Sequence, residues 1–585
     1  MTEAQAQDIA TKWLFCFASA LTSKDPDAIS QTFLPEGWFR DVLAFNWDFR
    51  SLAGQEKIRQ YFSKIGRLSR SKVSELHLDE RRYYAPSFTV RVPGYELGVE
   101  VIFTFETAVG HGRGCARLLK DGYGEWKAWS VFMTLTDLRG HEEAGHEKGI
   151  YGGHTIPWGD VYAQRKADAE KDPYVLIVGG GQTGLQVAAR FKQMGIRTLL
   201  IEKNTRIGDN WRKRYPTLSL HTVKSHHVLL YQPYPSNWPL FTPRDKIADW
   251  LECYAVNQDL VVWTNSSISG RPTYDSSSGK WRVTIDHNGT PAKITPSHIV
   301  LATGWLGEPR IPSVVNRTAF HGDVFHGAQY NGGGPCSGKK VVVVGAGNTA
   351  IDICQDLHTH RASSITMIQR SSTCVVSGDK LAEHQFELWP LDGTPADVGD
   401  FRFAGYPLGL LKKWFQSMTD MMWEEEKELH EKLRKGGVKL NMGREGEGQL
   451  LMVYERGGGY WLDKGAADLI ESGDIKVKQG VEPTEFTENG LVFSDGSQLP
   501  ADVVIFATGY KNIREINTKL FGEDVINRTS EAAGFDEEGE MKGIYRPTGH
   551  PGLWYAASDF WASRYYSKAL VSSPLHIITS MATIC

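Results

Sequence analysis

Tyr174-Val175-Leu176-Ile177-Val178-Gly179-Gly180-Gly181-Gln182-Thr183-Gly184 is the stretch on which the reading of this chain turns. Four aliphatic residues without polar interruption predict a strand buried on both faces, and Gly179-x-Gly181-x-x-Gly184 follows at its carboxyl end. Leu185 to Met194 then reads as a helix. The three glycines have separate tasks: a tight turn, room for a pyrophosphate against backbone, and close packing of helix on strand. A second strand, Thr198-Leu199-Leu200-Ile201, ends in Glu202-Lys203, where a carboxylate is expected to meet ribose hydroxyls.

The same logic recurs downstream. Val341-Val342-Val343-Val344 runs into Gly345-Ala346-Gly347-Asn348-Thr349-Ala350, then a helix through Leu357 and a strand Ile365-Thr366-Met367-Ile368. This strand ends in Gln369-Arg370-Ser371, with no carboxylate. An acid there would repel a 2′-phosphate, whereas a guanidinium clasps it through paired charge-assisted bonds. Such bonds contribute roughly 1.5–3 kcal/mol, about a ten- to hundredfold preference. The second nucleotide is therefore expected to be NADPH. Two redox dinucleotides on one chain imply a hydride passing between them.

Outward from the fingerprints, the alternation of strand and helix from Tyr174 onward is that of parallel sheets with crossovers. The fold class is α/β: two Rossmann-type dinucleotide-binding domains preceded by a small α+β domain. Residues 1–150 form the latter, with Ile9, Trp13, Leu14, Phe17 and Leu21 at helical spacing, a second helix from Gln55 to Leu68, and strand-like alternation from Leu76 to Leu138. Residues 151–172 read as a linker with a short docking helix from Val161 to Lys171. The first dinucleotide domain is expected over 173–335, the second with a helical insertion over 336–500, and the return to the first over 501–585. Within the insertion, Leu411, Trp414, Phe415, Met418, Met421, Met422, Leu429 and Leu433 form helical faces that pack, line an entrance or brush a membrane.

Composition narrows the partners. Of the 585 residues 41% are hydrophobic and 23% charged, with a formal net charge of −4, so no field gathers nucleic acid or anionic lipid. No apolar run is long enough for a membrane span and the amino terminus lacks a secretory pattern, which makes the cytoplasm the expected compartment. Seven cysteines (Cys16, Cys115, Cys253, Cys336, Cys354, Cys374, Cys585) include no C-x-x-C pair, against a disulfide relay. No His/Cys/Asp cluster has metal-ligand spacing, so no metal is expected. Oxygen or a small electron carrier is left as the acceptor.

Between the fingerprints, Phe320-His321-Gly322-Asp323-Val324-Phe325-His326-Gly327-Ala328-Gln329-Tyr330 fits F-x-G-x-x-x-H-x-x-x-Y. Together with Leu301-Ala302-Thr303-Gly304-Trp305, Phe506-Ala507-Thr508-Gly509-Tyr510 and Trp238-Pro239-Leu240-Phe241-Thr242-Pro243, it resembles the class B flavin-containing monooxygenases over residues 173–570. Within that class the chain looks most like the indole-3-pyruvate monooxygenases and related N-oxidising enzymes. The resemblance implies FAD at the first fingerprint and NADPH at the second. It also implies a C4a-hydroperoxyflavin that oxygenates a nitrogen or sulfur of a small substrate, or decarboxylates a 2-oxo acid such as indole-3-pyruvate. Thr303 and Gly304, and Thr508, Gly509 and Tyr510, are carried over as cofactor-binding turns. Trp211 matches the family's G-x-x-W beside flavin, Ser563-Arg564 its S-R pair, and Asp559 the position facing flavin ribityl oxygens. His326 is expected to fix an interdomain loop.

Baeyer-Villiger relatives carry Trp and then Pro or Asp after the middle motif, where this chain has Asn331, and an Asp where Tyr215-Pro216-Thr217-Leu218-Ser219-Leu220-His221 ends in His221. A neutral imidazole there suits heteroatom oxygenation better than attack on a ketone, which makes His221 the candidate catalytic residue. Two alternatives stay open: a Baeyer-Villiger enzyme, and a non-catalytic flavin module fused to an isomerase- or cyclase-like domain. Trp47-x-Phe49, Gly54 and Ile58-x-x-Tyr61-Phe62 resemble the cone fold of ketosteroid isomerases and nuclear-transport-factor relatives, with Asp41, His77 and Asp79 as polar pocket candidates. That domain is expected to serve as a docking or dimerising accessory, so a homodimer is among the expected partners besides substrate and O2.

Overall fold

The computed structural model describes residues 2–582. Val175–Val178 is the middle strand of a five-stranded sheet, flanked by Thr198–Ile201 and Val262–Trp263 on one side and by His298–Leu301 and Leu553–Tyr555 on the other. Every neighbouring pair is parallel. The aliphatic run is buried as its composition demands, with Val175, Leu176 and Ile177 at 1% exposure or less. Helix Gln182–Gln193 and the carboxyl-terminal helix Phe560–Ala582 cover one face together.

The second sheet has the order Asp323–His326, Val503–Phe506, Lys340–Val344, Ser364–Gln369, Ile475–Gln479, again parallel throughout. Its outer strand opens at Asp323 and its last sequence strand closes at Phe506, so the second unit starts earlier than the expected boundary at 336 and ends later than 500. Strand pairing overrides the boundary because both flanking segments donate a strand to the same sheet. The two passages between the units, Leu306–Pro309 and Tyr510–Asn512, pair antiparallel into a two-stranded ribbon.

The amino-terminal domain is α+β. Seven strands run in the order Phe49–Ala53, Phe33–Val42, Trp126–Leu138, Gly110–Lys120, Gly98–Glu106 and Ser74–Leu78, with Ser87–Val90 also on Gly98–Glu106. Helix Glu3–Ser23 packs Trp13, Leu14 and Phe17 onto one face of this sheet. The helix expected from Gln55 to Leu68 is two, Gln55–Ser63 and Arg67–Ser71, because Gly66 takes a left-handed φ of 77° between them. The docking helix runs Trp158–Lys171, a turn longer than expected.

The insertion's Met- and Trp-rich stretch breaks into helices Leu408–Ser417, Thr419–Glu425 and Lys427–Lys435. Leu410 is buried with Trp38 and Trp129 of the amino-terminal domain, and Trp414 lies edge-on to Trp129 at 5.5 Å. The first of these helices is therefore packed against that domain, whereas Met421 of the second is exposed and the third lies on helix Ala466–Ser472. Among the described residues no helix is long and apolar enough to cross a membrane. Cys16, Cys115, Cys253, Cys336, Cys354 and Cys374 are all unpaired thiols. Cys585 lies outside the described residues.

Candidate active site

Strand-terminal loops of both parallel sheets build the site, the position where α/β sheets bind nucleotides. In the first loop Gly179 has φ +110°, and a Cβ on Gly184 would sit 1.9 Å from the Gly179 carbonyl oxygen, so the helix can approach its strand only without a side chain. At Gly181, the residue before the helix, an added Cβ would meet Asn210 Nδ2 at 3.3 Å, a tight contact that the amide would have to yield to. Gly179 and Gly184 thus show the tight turn and the close helix-on-strand packing that the spacing predicts. Glu202 does more than the sequence suggests. Its Oε2 accepts from the Gly180 N–H at 2.7 Å and its Oε1 from the Asn204 N–H at 2.8 Å, so the acid also shapes the loop. Lys203 beside it is exposed.

In the second loop Gly345 repeats the left-handed turn at φ +131°, hard against the Ala507 carbonyl, and Gly347 is open. Ala350 is fully buried in the third fingerprint position. Asn348 Oδ1 accepts from the Leu462 N–H at 3.0 Å, tying the insertion to the loop, and Thr349 lies against Gly327. Arg370 stands at the end of its strand, 75% exposed and paired with Glu482 at 3.3 Å, and Ser371 is exposed next to it.

His221 sits between the two units. The segment leading to it is anchored by Tyr215, whose hydroxyl donates to Asp352 of helix Asn348–Thr359 at 2.5 Å. Val223 beyond it donates its N–H to Gln385 of the insertion at 2.9 Å. His221 is half-buried and makes no hydrogen bond among the described residues. Burial, with Arg214 and Lys464 nearby, pushes its pKa down to about 4, so the imidazole is neutral at physiological pH.

The carboxyl-terminal side of the cleft is a buried polar cluster that local pattern did not assemble. Arg564 grips Asp400 of the insertion with two 2.6 Å bonds, and its remaining donors meet the His226 and Val228 carbonyls. His226 Nε2 lies 3.8 Å from Asp559 Oδ2, and burial raises the Asp559 carboxyl to about 7 while lowering the His226 imidazole well below its ordinary range. His227 is bonded on both nitrogens, to Thr222 and Thr242. Three histidines within seven residues were the available signal.

Whether these residues suit a flavin nucleotide is tested by their unmet polar atoms. Trp211 Nε1, His226 Nδ1 and Ser558 Oγ are buried without a partner among the described residues. Ser558 is also held at φ +142°, a strained conformation directly before Asp559. Buried orphan polar atoms fit a ligand rich in carbonyls, hydroxyls and ring nitrogens.

The turns between the units are held from within. His326 Nδ1 accepts from the Ala328 N–H at 3.1 Å and its Nε2 donates to the Gly509 carbonyl at 3.0 Å, fixing the neutral Nε2–H form. Its ring lies edge-on to Tyr510 at 5.3 Å. Thr508 Oγ1 donates to the Arg310 carbonyl. Gly304 and Gly509 take left-handed φ of 79° and 75°, and Thr303 is exposed at its strand end. In the amino-terminal domain Asp41 is buried, His77 is exposed and Asp79 is bound to Arg81 at 2.8 Å, so these three do not form a pocket.

Compared with known proteins, residues 171–515 match the flavin-binding monooxygenase-like family. The chain belongs to that family. The probable indole-3-pyruvate monooxygenase YUCCA3 of Arabidopsis thaliana is 31% identical over 363 residues, 61% of this chain and 77% of the relative. The indole-3-pyruvate monooxygenase YUCCA1 of Oryza sativa subsp. japonica is 28% identical over 341 residues, 58% and 77% of the two chains. Among solved structures, an open crystal structure of cyclohexanone monooxygenase aligns with 70% of this chain and 88% of that one, at 15% identity and a TM-score of 0.50, a likeness of fold. This flavin monooxygenase is thus an enzyme with a flavin cofactor, as expected, and the alternative of a non-catalytic module falls away. The amino-terminal domain lies outside the matched span.

Proposed function

We propose that this enzyme takes two electrons from NADPH onto FAD and uses O2 to oxygenate a nitrogen or sulfur of a small organic substrate, or to decarboxylate a 2-oxo acid such as indole-3-pyruvate. The reading is carried by one observation: a neutral, unbonded His221 on a segment that Tyr215–Asp352 and Val223–Gln385 bonds tie to the second unit. Bound flavin supplies the electrons that activate oxygen. The chain's residues do the rest. Gly179, Gly181 and Gly184 bring backbone to the pyrophosphate, with Glu202 and Lys203 at the ribose side and Trp211, Thr303, Gly304 and Asp559 around the flavin. His221 presents an uncharged ring at the reacting side, where a protonated one would attract a peroxide anion.

Gly345, Gly347, Asn348, Thr349 and Ala350 receive the second nucleotide, and Thr508, Gly509, Tyr510 and His326 hold the loops that separate the two. NADPH is favoured over NADH because Arg370 and Ser371 are free to turn to a 2′-phosphate. The exposed Arg370–Glu482 contact holds the guanidinium by at most about 1 kcal/mol. The names of the relatives support the 2-oxo-acid branch.

The test is aerobic incubation of the purified flavoprotein with NADPH, isotopically heavy O2 and panels of amines, indoles, thioethers, 2-oxo acids and ketones. Heavy oxygen in an amine or thioether, or CO2 lost from a 2-oxo acid, is the expected result. Esters from ketones alone would replace the proposal with Baeyer-Villiger chemistry, and no oxygen consumed with any member would overturn it.

A further inference from the structure

The interior of the amino-terminal domain is largely aromatic. Phe17, Phe33, Phe39, Phe45, Phe62 and Phe103 fill its interior. Asp41 within it is spent on the Ala44 and Phe45 N–H groups and on the Tyr61 hydroxyl, at 2.8, 3.2 and 2.6 Å. Its other sheet face behaves differently. Arg40, on the same strand, crosses into the flavin unit and binds Glu540 with bonds of 2.6 and 2.7 Å, both side chains being 3% exposed or less. The same guanidinium donates to the Ala404 carbonyl and, at 3.0 Å, to Tyr566.

Contacts of both polarities repeat this grip. Arg50 pairs with Glu538, Arg546 of the flavin unit reaches back to Asp48 at 2.8 Å, and Arg402 of the insertion meets Glu100 at 2.8 Å. Arg117, fully buried, donates to the Gly405 and Arg402 carbonyls at 3.0 and 2.8 Å. The charges are complementary throughout, and those of Arg40, Glu540 and Arg117 are desolvated while the others are part-exposed, so the junction is fixed at its centre.

At this junction lies a cavity of about 20 Å³, enough for a water molecule, bordered by Arg40 and Phe49 on one side and by Tyr545, Trp561, Ala562 and Tyr566 on the other. Its far wall is continuous with the flavin site. The Ala562 N–H donates to Asp559 at 3.2 Å, and Tyr545 donates to Ser563, which lies 2.9 Å from Thr183 of the first fingerprint helix.

We propose that the amino-terminal domain is the fixed solvent seal of the flavin site, with Arg40 as its positioning residue and Phe49 as its wall. The inference rests on the function proposed above and adds the domain's part in it. With the seal intact, one oxygen atom of O2 goes to substrate and the other leaves as water. With it opened, water and protons reach the flavin side, and NADPH, H⁺ and O2 become NADP⁺ and H2O2 with no substrate consumed.

The experiment uses the full flavin-loaded chain and three variants: Phe49→Ala, Arg40→Met, and Arg40→Met with Glu540→Met. Two readouts are taken per bound flavin, quenching of flavin fluorescence by iodide and H2O2 released with NADPH and no substrate. Both are expected to rise several-fold in the single variants. Both should fall back toward wild type in the double variant, because an apolar pair replaces the buried ions without leaving a lone charge. Single variants that load flavin yet quench and leak as wild type does would overturn the seal. Phe49→Ala decides the matter if Arg40→Met fails to fold, since it leaves the ion pair intact. A wild-type flavoprotein that consumes no O2 with NADPH defeats the proposed function alone, and the iodide measurement still judges the seal.

Discussion

Two arginine–glutamate pairs in this molecule have the same chemistry and opposite surroundings. Arg40–Glu540 is 3% and 1% exposed and joins the amino-terminal domain to the flavin unit; Arg370–Glu482 is 75% and 55% exposed at the second nucleotide loop. A desolvated pair is costly to break because the survivor is left charged in a poor solvent, whereas a hydrated one is close to neutral. Burial, more than the contact itself, therefore decides which arginine is structural and which is available to a ligand.

The contrast can be broken most sharply at Glu540. Glu540→Gln should cost about 3–5 kcal/mol, seen as a lower thermal unfolding midpoint at constant protein and flavin concentration. A midpoint within a degree or so of wild type would mean that the junction is not a buried ion pair in solution. The exposed partner should behave in reverse. Arg370→Ala is expected to leave the melt unchanged and to raise the KM for NADPH about ten- to hundredfold, the equivalent of roughly 1.5–3 kcal/mol, with NADH kinetics unaltered. Equal losses for both coenzymes would remove Arg370 from the 2′-phosphate.

His221 lies between these extremes, half-buried and uncharged. Its folded pKa of about 4 is below the ordinary 6.5, so the unfolded chain takes up its proton first. This group therefore subtracts nothing from stability above 6.5 and destabilises the fold progressively as pH falls from 6.5 to 4. His221→Asn should remove that part of the acid sensitivity in pH-dependent melts and keep the turnover plateau within about tenfold of wild type, whereas loss of a general acid would cost roughly 100- to 10,000-fold. The smallest effect is expected for Glu482→Ala. It should move stability by at most about 1 kcal/mol, and by freeing Arg370 it should lower the KM for NADPH if it changes it at all.

The parts of the fold that were legible are those written in short-range pattern. An aliphatic run before Gly179-x-Gly181-x-x-Gly184 specifies a buried strand and a side-chain-free turn, and the 1.9 Å approach at Gly184 is the steric reason that spacing works. His326 was readable only in part: its bond from the Ala328 N–H is local, whereas the Gly509 carbonyl and Tyr510 ring that it meets lie more than 180 positions away. The junction around Arg40 was not, since Glu540 is five hundred positions away and no local period encodes such a meeting. Its one trace is the alternation Trp38-x-Arg40-x-Val42, which places a charge on an otherwise apolar strand face and so demands a buried partner. The cluster of Arg564, Asp400, His226 and Asp559 draws on three separate segments and was visible only as fragments. That Asp323–His326 and Val503–Phe506 join the second sheet was not legible, because a strand is assigned to a sheet by its hydrogen-bonded neighbour, which composition does not reveal.

The paired passages Leu306–Pro309 and Tyr510–Asn512 make the second nucleotide unit a cassette with a zipped neck: its entry and exit strands register Leu306 opposite Asn512 and Pro309 opposite Tyr510. Transplanting that cassette from a relative would require both neck strands to travel together. A graft that keeps one native strand and imports the other would mismatch the ribbon and tilt one coenzyme away from its counterpart.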